Sequence, residues 1–157
     1  MNAASEYFTR RLAFETDADD VGSALQHGTA DFTLLDARSL AAYAAAHLPG
    51  AISLPHREIT AESLPDGPLV VYCWGPGCNA ATKACAKIVA LGRDDVKEML
   101  GGFEYYVREG YPVEGEQADR HGKDQSGLVV LPSETMVGCS LPSERSRSSA
   151  TPMAPAT

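Results

Sequence analysis

The sequence predicts an α/β domain organised around a mainly parallel sheet. Short β-favouring apolar runs alternate with stretches of helical periodicity, which is the pattern of strand–helix–strand crossover units. The clearest unit runs from Leu69 to Leu91, where a strand, a glycine-rich loop and a helix follow one another. With 157 residues and a hydrophobic fraction of 44%, the chain can bury one core of ordinary size.

The first half of the chain predicts three strands and two helices. The capping-box-like spacing of Thr16 and Asp19 predicts a helix that Gly28 ends. Ser39 is placed to cap a second helix, which runs through an alanine-rich stretch. The predicted strands of this half are Phe8–Phe14, Phe32–Leu35 and Ala51–Leu54.

The central unit places a cysteine where an anion is favoured. Leu69–Tyr72 predicts a buried strand, and Cys73 stands where that strand ends. Glycine and proline break the chain in the next residues, and a helix with Asn79 at its N-cap follows. Loop N–H groups and the helix dipole favour negative charge at this point. We therefore expect them to lower the pKa of the Cys73 thiol and make it nucleophilic.

The last strand and helix of the domain are followed by a tail of different composition. Val96–Leu100 predicts a fifth strand, and Phe103–Glu109 predicts a short helix after a pair of glycines. From Gln117 onward the chain has no aromatic residue and is rich in Ser, Thr and Pro. This composition predicts a domain over residues 1–116 and a disordered tail over residues 117–157.

Charge and composition exclude several classes of partner. The net charge of -8 argues against nucleic acid and against an acidic membrane surface as partners. No apolar run reaches membrane-spanning length, and the first twenty residues lack a targeting pattern, so we expect a cytoplasmic protein. The cysteines are too unevenly spaced for a zinc site, and we predict neither a metal nor another cofactor. They are Cys73, Cys78, Cys85 and Cys139.

Several motifs, taken in order, resemble those of rhodanese-like domains. The resemblance covers residues 8–115 in the right order and spacing. No single motif is specific, but the ordered set is. The motifs are Leu34–Arg38 with Tyr43, His47–Ile52, the strand Val70–Cys73, the pair Gly101-Gly102 and Gly110–Pro112.

This resemblance implies a rhodanese fold, a mainly parallel five-stranded sheet flanked by helices on both faces. It also implies a sulfurtransferase with Cys73 at the catalytic position. A persulfide on that cysteine would carry sulfur from thiosulfate or another small-molecule donor to a thiol, a protein acceptor or cyanide. Loop N–H groups, except at proline, would hold the persulfide anion. The predicted substrate-binding residues are Trp74, Gly75, Pro76, Gly77, Cys78, Asn79 and Arg38.

The sequence departs from the family pattern at two positions. Many single-domain members carry an arginine at the last loop position, where this chain has Cys78. The family's glutamate before the aromatic residue is Ala42 here, so Arg38 lacks that partner. The loop has the sulfurtransferase length, whereas phosphatases of this fold have a longer loop with an arginine six residues after the cysteine. Asn79 stands there and cannot clamp a phosphoryl group, which disfavours phosphatase activity.

Most of these residues also have a structural interpretation. Cys73 could simply close a buried strand, and Cys85 lies on the apolar helix face, where a core role is favoured. Cys78 is either a tolerated small residue or a thiol that accepts sulfur from Cys73 or forms a disulfide with it. Arg38 is placed equally well to add positive charge at the loop mouth or to form an ion pair. Cys139 lies in the tail and has no predicted role.

Two hypotheses for the function follow. The first is a single-domain sulfurtransferase acting through Cys73. The second is a non-enzymatic or redox-sensing module that uses the Cys73–Cys78 pair. A thioredoxin-type oxidoreductase is disfavoured, because the four residues between these cysteines exceed the two-residue spacer of that class.

Overall fold

A five-stranded parallel sheet forms the centre of the protein, as the sequence predicts. The computed structural model describes residues 2–123 and 129–130. The sheet strands are β1 (Glu15–Asp17), β2 (Thr33–Asp36), β3 (Ile52–Ser53), β4 (Leu69–Tyr72) and β5 (Val96–Leu100), in the spatial order β1-β5-β4-β2-β3. The helices are α1 (Ala3–Phe14), α2 (Ala18–His27), α3 (Leu40–Ala45), α4 (Ala80–Ala90) and α5 (Gly102–Arg108).

Strand β4 occupies the middle of the sheet. It pairs with β2 on one side, where Asp36 lies opposite Tyr72, and with β5 on the other, where Val96 lies opposite Leu69. All these pairings are parallel, so the carboxyl ends of the strands lie along one edge. Cys73 therefore leaves the sheet at the middle of the edge where ligands bind in open α/β sheets.

Two separate cores lie on opposite faces of the sheet. Successive residues of a strand point to opposite faces, so Tyr72 joins the core beneath α2 and α5, while Cys73 joins the core beneath α4. Phe103 of α5 anchors the first core, and Ile88 of α4 anchors the second. The predicted architecture of a parallel sheet with helices on both faces is confirmed.

The amino-terminal segment is helical, so the predicted strand at Phe8–Phe14 is wrong. The Asn2 side chain caps α1 by accepting a hydrogen bond from the Ser5 N–H at 2.9 Å. Two ion pairs support the helix, and each joins residues one helical turn apart: Glu6 with Arg10, and Arg11 with Glu15. The aromatic residues of this run suggested a strand, but the edge position of the sheet is filled by β1, which starts after α1 ends.

Two of the three predicted helix caps differ from expectation. The Ser39 hydroxyl accepts the Ala42 N–H at 3.2 Å, as predicted for α3. Helix α2 is capped by Asp17 rather than by Thr16, since its carboxylate accepts the Asp20 N–H at 2.8 Å. Asn79 occupies the N-cap position of α4 but makes no side-chain capping bond. The first N–H groups of α4 are therefore left for the site at Cys73.

After α5 the chain returns across the domain and packs along α3. This return segment, residues 114–117, makes four backbone hydrogen bonds of 2.8–2.9 Å with Ala44, Ala45 and His47. A short turn and an antiparallel pair of two-residue strands, β6 (Gly122–Lys123) and β7 (Val129–Val130), follow. Most of the tail predicted for residues 117–157, with Cys139, lies outside the described residues. Within the described part, no helix is both long and apolar enough to span a bilayer.

Candidate active site

Cys73 lies at the point where β4 gives way to the loop that leads into α4. Only 3% of the residue is exposed, and its side chain packs with the α4 core. The thiol donates a hydrogen bond to the Cys78 carbonyl oxygen at 3.0 Å, so the loop folds back over the sulfur. The Cys78 N–H in turn bonds the Gly75 carbonyl at 2.9 Å, which closes the turn. This compact loop encloses a single sulfur atom at the carboxyl edge of the sheet.

The start of the loop is held from behind by α5. The Phe103 N–H donates to the Cys73 carbonyl and the Glu104 N–H to the Trp74 carbonyl, both at 2.8 Å. The first N–H groups of a helix have no partner within the helix, so α5 uses two of them to fix the loop. The direction of the Cys73 main chain is therefore set by an element about thirty residues further along the sequence.

Gly102 is the residue that allows α5 to approach the loop this closely. Its φ is +58°, a left-handed conformation that favours glycine. A Cβ atom there would lie 2.6 Å from the Cys73 carbonyl oxygen and 2.8 Å from the Gly75 nitrogen, both backbone atoms. Such a contact forces the helix and the loop apart. The glycine pair that resembles the family's carboxyl end thus has a steric role at the site.

The pKa of Cys73 differs from the sequence expectation. Burial raises the pKa of the thiol above its ordinary value, and the N–H groups of Ala81, Gly75 and Ala80 lower it only in part. The Glu98 carboxylate raises it further. The prediction of a lowered pKa is therefore wrong for the resting thiol, because it counted the helix terminus and omitted the desolvation of a buried sulfur. The proton stays on the sulfur, which donates to the Cys78 carbonyl.

The N–H groups nearest the sulfur only partly match the predicted set. Gly75 was predicted as a donor, but Ala80 and Ala81 in the first turn of α4 act together with it. The other predicted binding residues differ in exposure: Gly75 is buried, Trp74 and Cys78 are half-buried, and Pro76, Gly77 and Asn79 are exposed. The exposed three form the outer rim of the loop.

The cysteines near Cys73 are chemically distinct from it. Cys73 and Cys85 are free thiols, whereas Cys78 is disulfide-bonded. Because Cys73 is free, the disulfide with Cys78 that was one of the interpretations of Cys78 is not formed in this structure. Burial, with the Glu98 carboxylate second, raises the pKa of Cys85 to about 12. Its thiol stays protonated at neutral pH, which agrees with the predicted core role.

Arg38 lies beneath the loop rather than at its open mouth. It is 1% exposed, and its Nε and Nη2 atoms donate to both carboxylate oxygens of Asp36 at 2.6–3.1 Å. The guanidinium carbon lies 4.5 Å from the ring centre of Trp74 and 4.2 Å from that of Phe103, so the cation is held between two aromatic rings. The sequence left two interpretations of Arg38, a positive charge at the loop mouth and a structural ion pair. These contacts favour the structural ion pair. Within the part of the chain that the structure describes, the Nη1 atom of Arg38 has no hydrogen-bond partner.

The ion pair belongs to a network that joins β2, β4 and the turn after α3. The Tyr72 hydroxyl donates to Asp36 at 2.7 Å and accepts the Leu48 N–H at 3.2 Å. Arg38 also donates to the Ala46 carbonyl at 2.6 Å. Burial and the neighbouring Asp36 carboxylate raise the pKa of Tyr72, so its hydroxyl remains a donor. The residue before Cys73 is thereby fixed in a polar network on the opposite face of the sheet.

A basic cluster beside α4 is a feature that sequence reasoning missed. Lys83 and Lys87 lie one turn apart on α4, and the Lys87 ammonium donates to the Arg57 carbonyl at 3.1 Å. Burial, followed by the charges of Arg57, Lys83 and Lys87, lowers the pKa of His56. The separation of Lys83 and Lys87 by four residues was visible in the sequence, but their proximity to His56 depends on the fold. Among the described residues, no group of three or more His, Cys, Asp or Glu is placed to hold a metal ion.

Comparison with known proteins supports the same fold. A solved protein of Bacillus halodurans is 38% identical, with a TM-score of 0.68 over 73% of this chain and 85% of that one. The rhodanese-like domain of an Anabaena protein is 27% identical, with a TM-score of 0.61 over 75% of this chain and 92% of that one. Both cover most of the described part of this chain.

Two curated relatives differ in what their names state. The thiosulfate sulfurtransferase GlpE of Pseudomonas syringae is 36% identical over 84 residues, which are 52% of this chain and 76% of that protein. The HTH-type transcriptional regulator Rv0324 of Mycobacterium tuberculosis is 35% identical over 95 residues. That match spans 59% of this chain but only 42% of the regulator.

The family model described as the rhodanese-like domain matches residues 17–109. This range covers more than half of the chain and contains every strand of the parallel sheet apart from the first two residues of β1. It also contains Cys73, its loop and the glycine pair that holds α5 against them. The chain belongs to the rhodanese-like domain family.

Proposed function

We propose that this protein is a sulfurtransferase that carries a sulfane sulfur as a persulfide on Cys73. The observation that carries the proposal is a single buried sulfur at the carboxyl end of the central strand, enclosed by a short loop and facing the first turn of α4. Membership of the family and a GlpE relative named as a thiosulfate sulfurtransferase support it.

The chemistry requires a thiolate, two substrates and no further oxidant or reductant. The Cys73 thiolate attacks the outer sulfur of a donor such as thiosulfate, a new S–S bond forms, and sulfite leaves with the electron pair of the broken bond. An acceptor thiolate or cyanide then attacks the outer sulfur of the persulfide. The second S–S bond breaks, and its electron pair returns to Cys73 as the thiolate.

The loop is suited to stabilise the charge on the persulfide. The pKa of Cys73 is raised overall by burial, but the N–H groups of Gly75, Ala80 and Ala81 act in the opposite direction. Each of these groups therefore favours the anionic form of the sulfur. Ala80 and Ala81 also bring the positive end of the α4 dipole towards this position. A thiol inside the loop is neutral at rest, and these donors become most favourable once negative charge appears on the outer sulfur.

Mass spectrometry of the intact protein tests the proposal. After treatment with thiosulfate and removal of excess donor, we expect a mass increase of one sulfur, located on Cys73 by peptide mapping. The Cys73→Ser variant should show no increase, and the Cys85→Ser variant should load normally, because the protonated Cys85 thiol is a poor nucleophile. Cyanide should then remove the added sulfur as thiocyanate. Equal loading of the Cys73→Ser variant would refute the proposal.

A regulatory role for the domain is the second candidate. It is favoured by the Mycobacterium relative, which is named as a transcriptional regulator. In such a role the state of Cys73, reduced, persulfidated or joined to Cys78, would be the signal. If the protein is first fully reduced and then mildly oxidised, a loss of two hydrogens shared by Cys73 and Cys78, without catalytic turnover, would favour this candidate.

A further inference from the structure

The basic cluster beside α4 is built by the turn that follows β3. This turn is closed by a hydrogen bond of 2.8 Å from the Glu58 N–H to the Pro55 carbonyl. His56 and Arg57 occupy its two central positions. The Lys87 ammonium donates to the Arg57 carbonyl at 3.1 Å and thereby ties the turn to α4. The members of the basic cluster are His56, Arg57, Lys83 and Lys87.

The cations of the basic cluster lack acidic partners. In the described part of the chain, none of Arg57, Lys83 and Lys87 takes part in an ion pair, whereas five arginines elsewhere each pair with a carboxylate. The charges of these three cations, after burial, lower the pKa of His56, and no carboxylate of the described residues offsets them. Because the whole chain carries a net charge of -8, this surface is a local exception that attracts an anionic partner.

The basic cluster lies at the same edge of the sheet as Cys73. Its turn follows the carboxyl end of β3, and Cys73 follows the carboxyl end of β4. Lys83 comes just after Ala80 and Ala81, whose N–H groups act on the sulfur. Lys83 and Lys87 are four residues apart and so lie on one face of the helix. A molecule that covers the cluster therefore lies beside the loop around Cys73.

The extent of the basic cluster indicates a partner larger than a small sulfur donor. At a rise of about 1.5 Å per residue, Lys87 lies about 10 Å along the helix axis from Ala80. A thiosulfate ion held at Cys73 by the loop N–H groups does not span this distance. The net charge of -8 opposes a nucleic acid, because its phosphates form a dense array of negative charge. A protein surface with a few carboxylates fits the cluster better.

We propose that the basic cluster docks an acidic protein that accepts the sulfane sulfur from Cys73. This proposal rests on the proposed function, because it names the acceptor of that reaction. In the docked complex, carboxylates of the acceptor lie against the cluster, and the thiolate of the acceptor attacks the outer sulfur of the persulfide. A bond forms between these two sulfurs, the bond to Cys73 breaks, and its electron pair stays on the Cys73 sulfur. Docking thus concentrates acidic acceptors beside the loop.

A titration of His56 tests docking without any reaction. The probe is a short glutamate-rich peptide that contains no cysteine, and the control peptide has glutamine in place of each glutamate. Carboxylates that cover the cluster offset the cations that lower the pKa of His56, so the glutamate-rich peptide should raise that pKa. Nuclear magnetic resonance measures the pKa, and the His56→Gln variant assigns the signal. An unchanged pKa of His56 at saturating glutamate-rich peptide, or tighter binding of duplex DNA than of this peptide, would overturn the proposal.

Sulfur transfer to peptides tests the role of the basic cluster in the reaction. Protein loaded with sulfur on Cys73 is mixed with a glutamate-rich or a glutamine-rich peptide that carries one cysteine, and rates are compared per peptide thiolate. At low salt we expect transfer to the glutamate-rich peptide to be about tenfold faster, and added salt should reduce this difference. Lys83→Glu and Arg57→Glu should each remove the difference and leave transfer to the glutamine-rich peptide unchanged. The matched control is Lys97→Glu, at an exposed residue near the amino end of β5 and thus at the opposite edge of the sheet.

The two proposals fail in different ways. A wild-type protein that does not load sulfur on Cys73 contradicts the proposed function, and the His56 titration still reports on docking. A protein that loads sulfur but transfers it equally fast to both peptides overturns the docking proposal alone. Equal effects of Lys83→Glu and Lys97→Glu would overturn it as well. Circular dichroism confirms that each variant is folded.

Discussion

Replacement of Gly102 by alanine should weaken both the fold and the active-site loop. The new Cβ would lie 2.6–2.9 Å from backbone atoms of Cys73, Trp74 and Gly75, none of which can rotate away. A left-handed conformation costs about 1–2 kcal/mol for a residue with a side chain. Displacing α5 also breaks its two hydrogen bonds to the loop, which contribute about 0.5–1.5 kcal/mol each. We therefore expect the free energy of unfolding to fall by about 2–5 kcal/mol.

The matched control is Gly92→Ala, which separates backbone strain from the steric clash. Gly92 has a φ of +91°, but a Cβ at this position meets no atom within 4 Å. This variant should lose only about 1–2 kcal/mol and keep normal turnover. Denaturant titration measures the free energy of unfolding, and sulfur transfer from thiosulfate to cyanide measures turnover.

Turnover distinguishes a local from a global effect. The Gly102→Ala variant moves the main chain of Cys73, and a displacement of about 1 Å can lower catalytic rates about 100-fold. If the Gly102 and Gly92 variants have the same stability and the same turnover, α5 does not hold the loop in the way described. Loss of stability with normal turnover would likewise contradict the inferred link between α5 and the reactive sulfur.

Three further predictions concern the loop and the reactive sulfur. Cys73→Ser should abolish sulfur transfer in the thiocyanate assay, whereas Cys85→Ser should keep most of it; near-normal turnover without Cys73 would disprove the mechanism. Burial raises the pKa of Cys73, and only its thiolate attacks the donor. Under limiting donor, the rate of sulfur loading should therefore rise about tenfold per pH unit until the pH passes that pKa. A loading rate that is constant above neutral pH would show that the pKa of Cys73 is lowered instead. In the reduced protein, Cys78→Arg should lower the Michaelis constant for thiosulfate about tenfold or more, because one charge-assisted hydrogen bond contributes about 1.5–3 kcal/mol. An unchanged Michaelis constant at low salt would show that the lack of an arginine at position 78 does not limit thiosulfate binding.

The parts of the fold that the sequence could predict are those determined locally. The unit from β4 to α4 follows from an apolar run, a glycine-rich break and one helical face, all within about twenty residues. The strand predicted at Phe8–Phe14 is wrong because the aromatic residues within this run favour a strand, whereas the features that favour a helix involve residues on either side of it. These features are the Asn2 cap and the ion pairs of Arg10 with Glu6 and of Arg11 with Glu15. Periodicity over seven residues could not decide between the two.

The details of the site depend on contacts that no local pattern contains. The position of Cys73 was predictable, because it stands where a strand ends. Its raised pKa was not, since burial of the sulfur depends on the packing of α4 against the sheet. Arg38 lies between Trp74 and Phe103, which are 36 and 65 residues away in sequence. The sequence alone left its two interpretations equal, and only the packed structure distinguishes them.

The return segment, residues 114–117, has a mechanical consequence. Its four backbone hydrogen bonds with α3 and the following turn lie side by side, so tension applied from the carboxyl end would load them together. The family-matched region ends at residue 109, but cutting the chain there would leave the carbonyl groups of Ala44, Ala45 and His47 without these partners. We infer that the folding unit extends to Gln117. The chain beyond this segment also contacts α5, because the His121 ring lies 5.2 Å from the ring of Phe103. Motion at the end of the domain therefore reaches both α3 and the helix that holds the Cys73 loop.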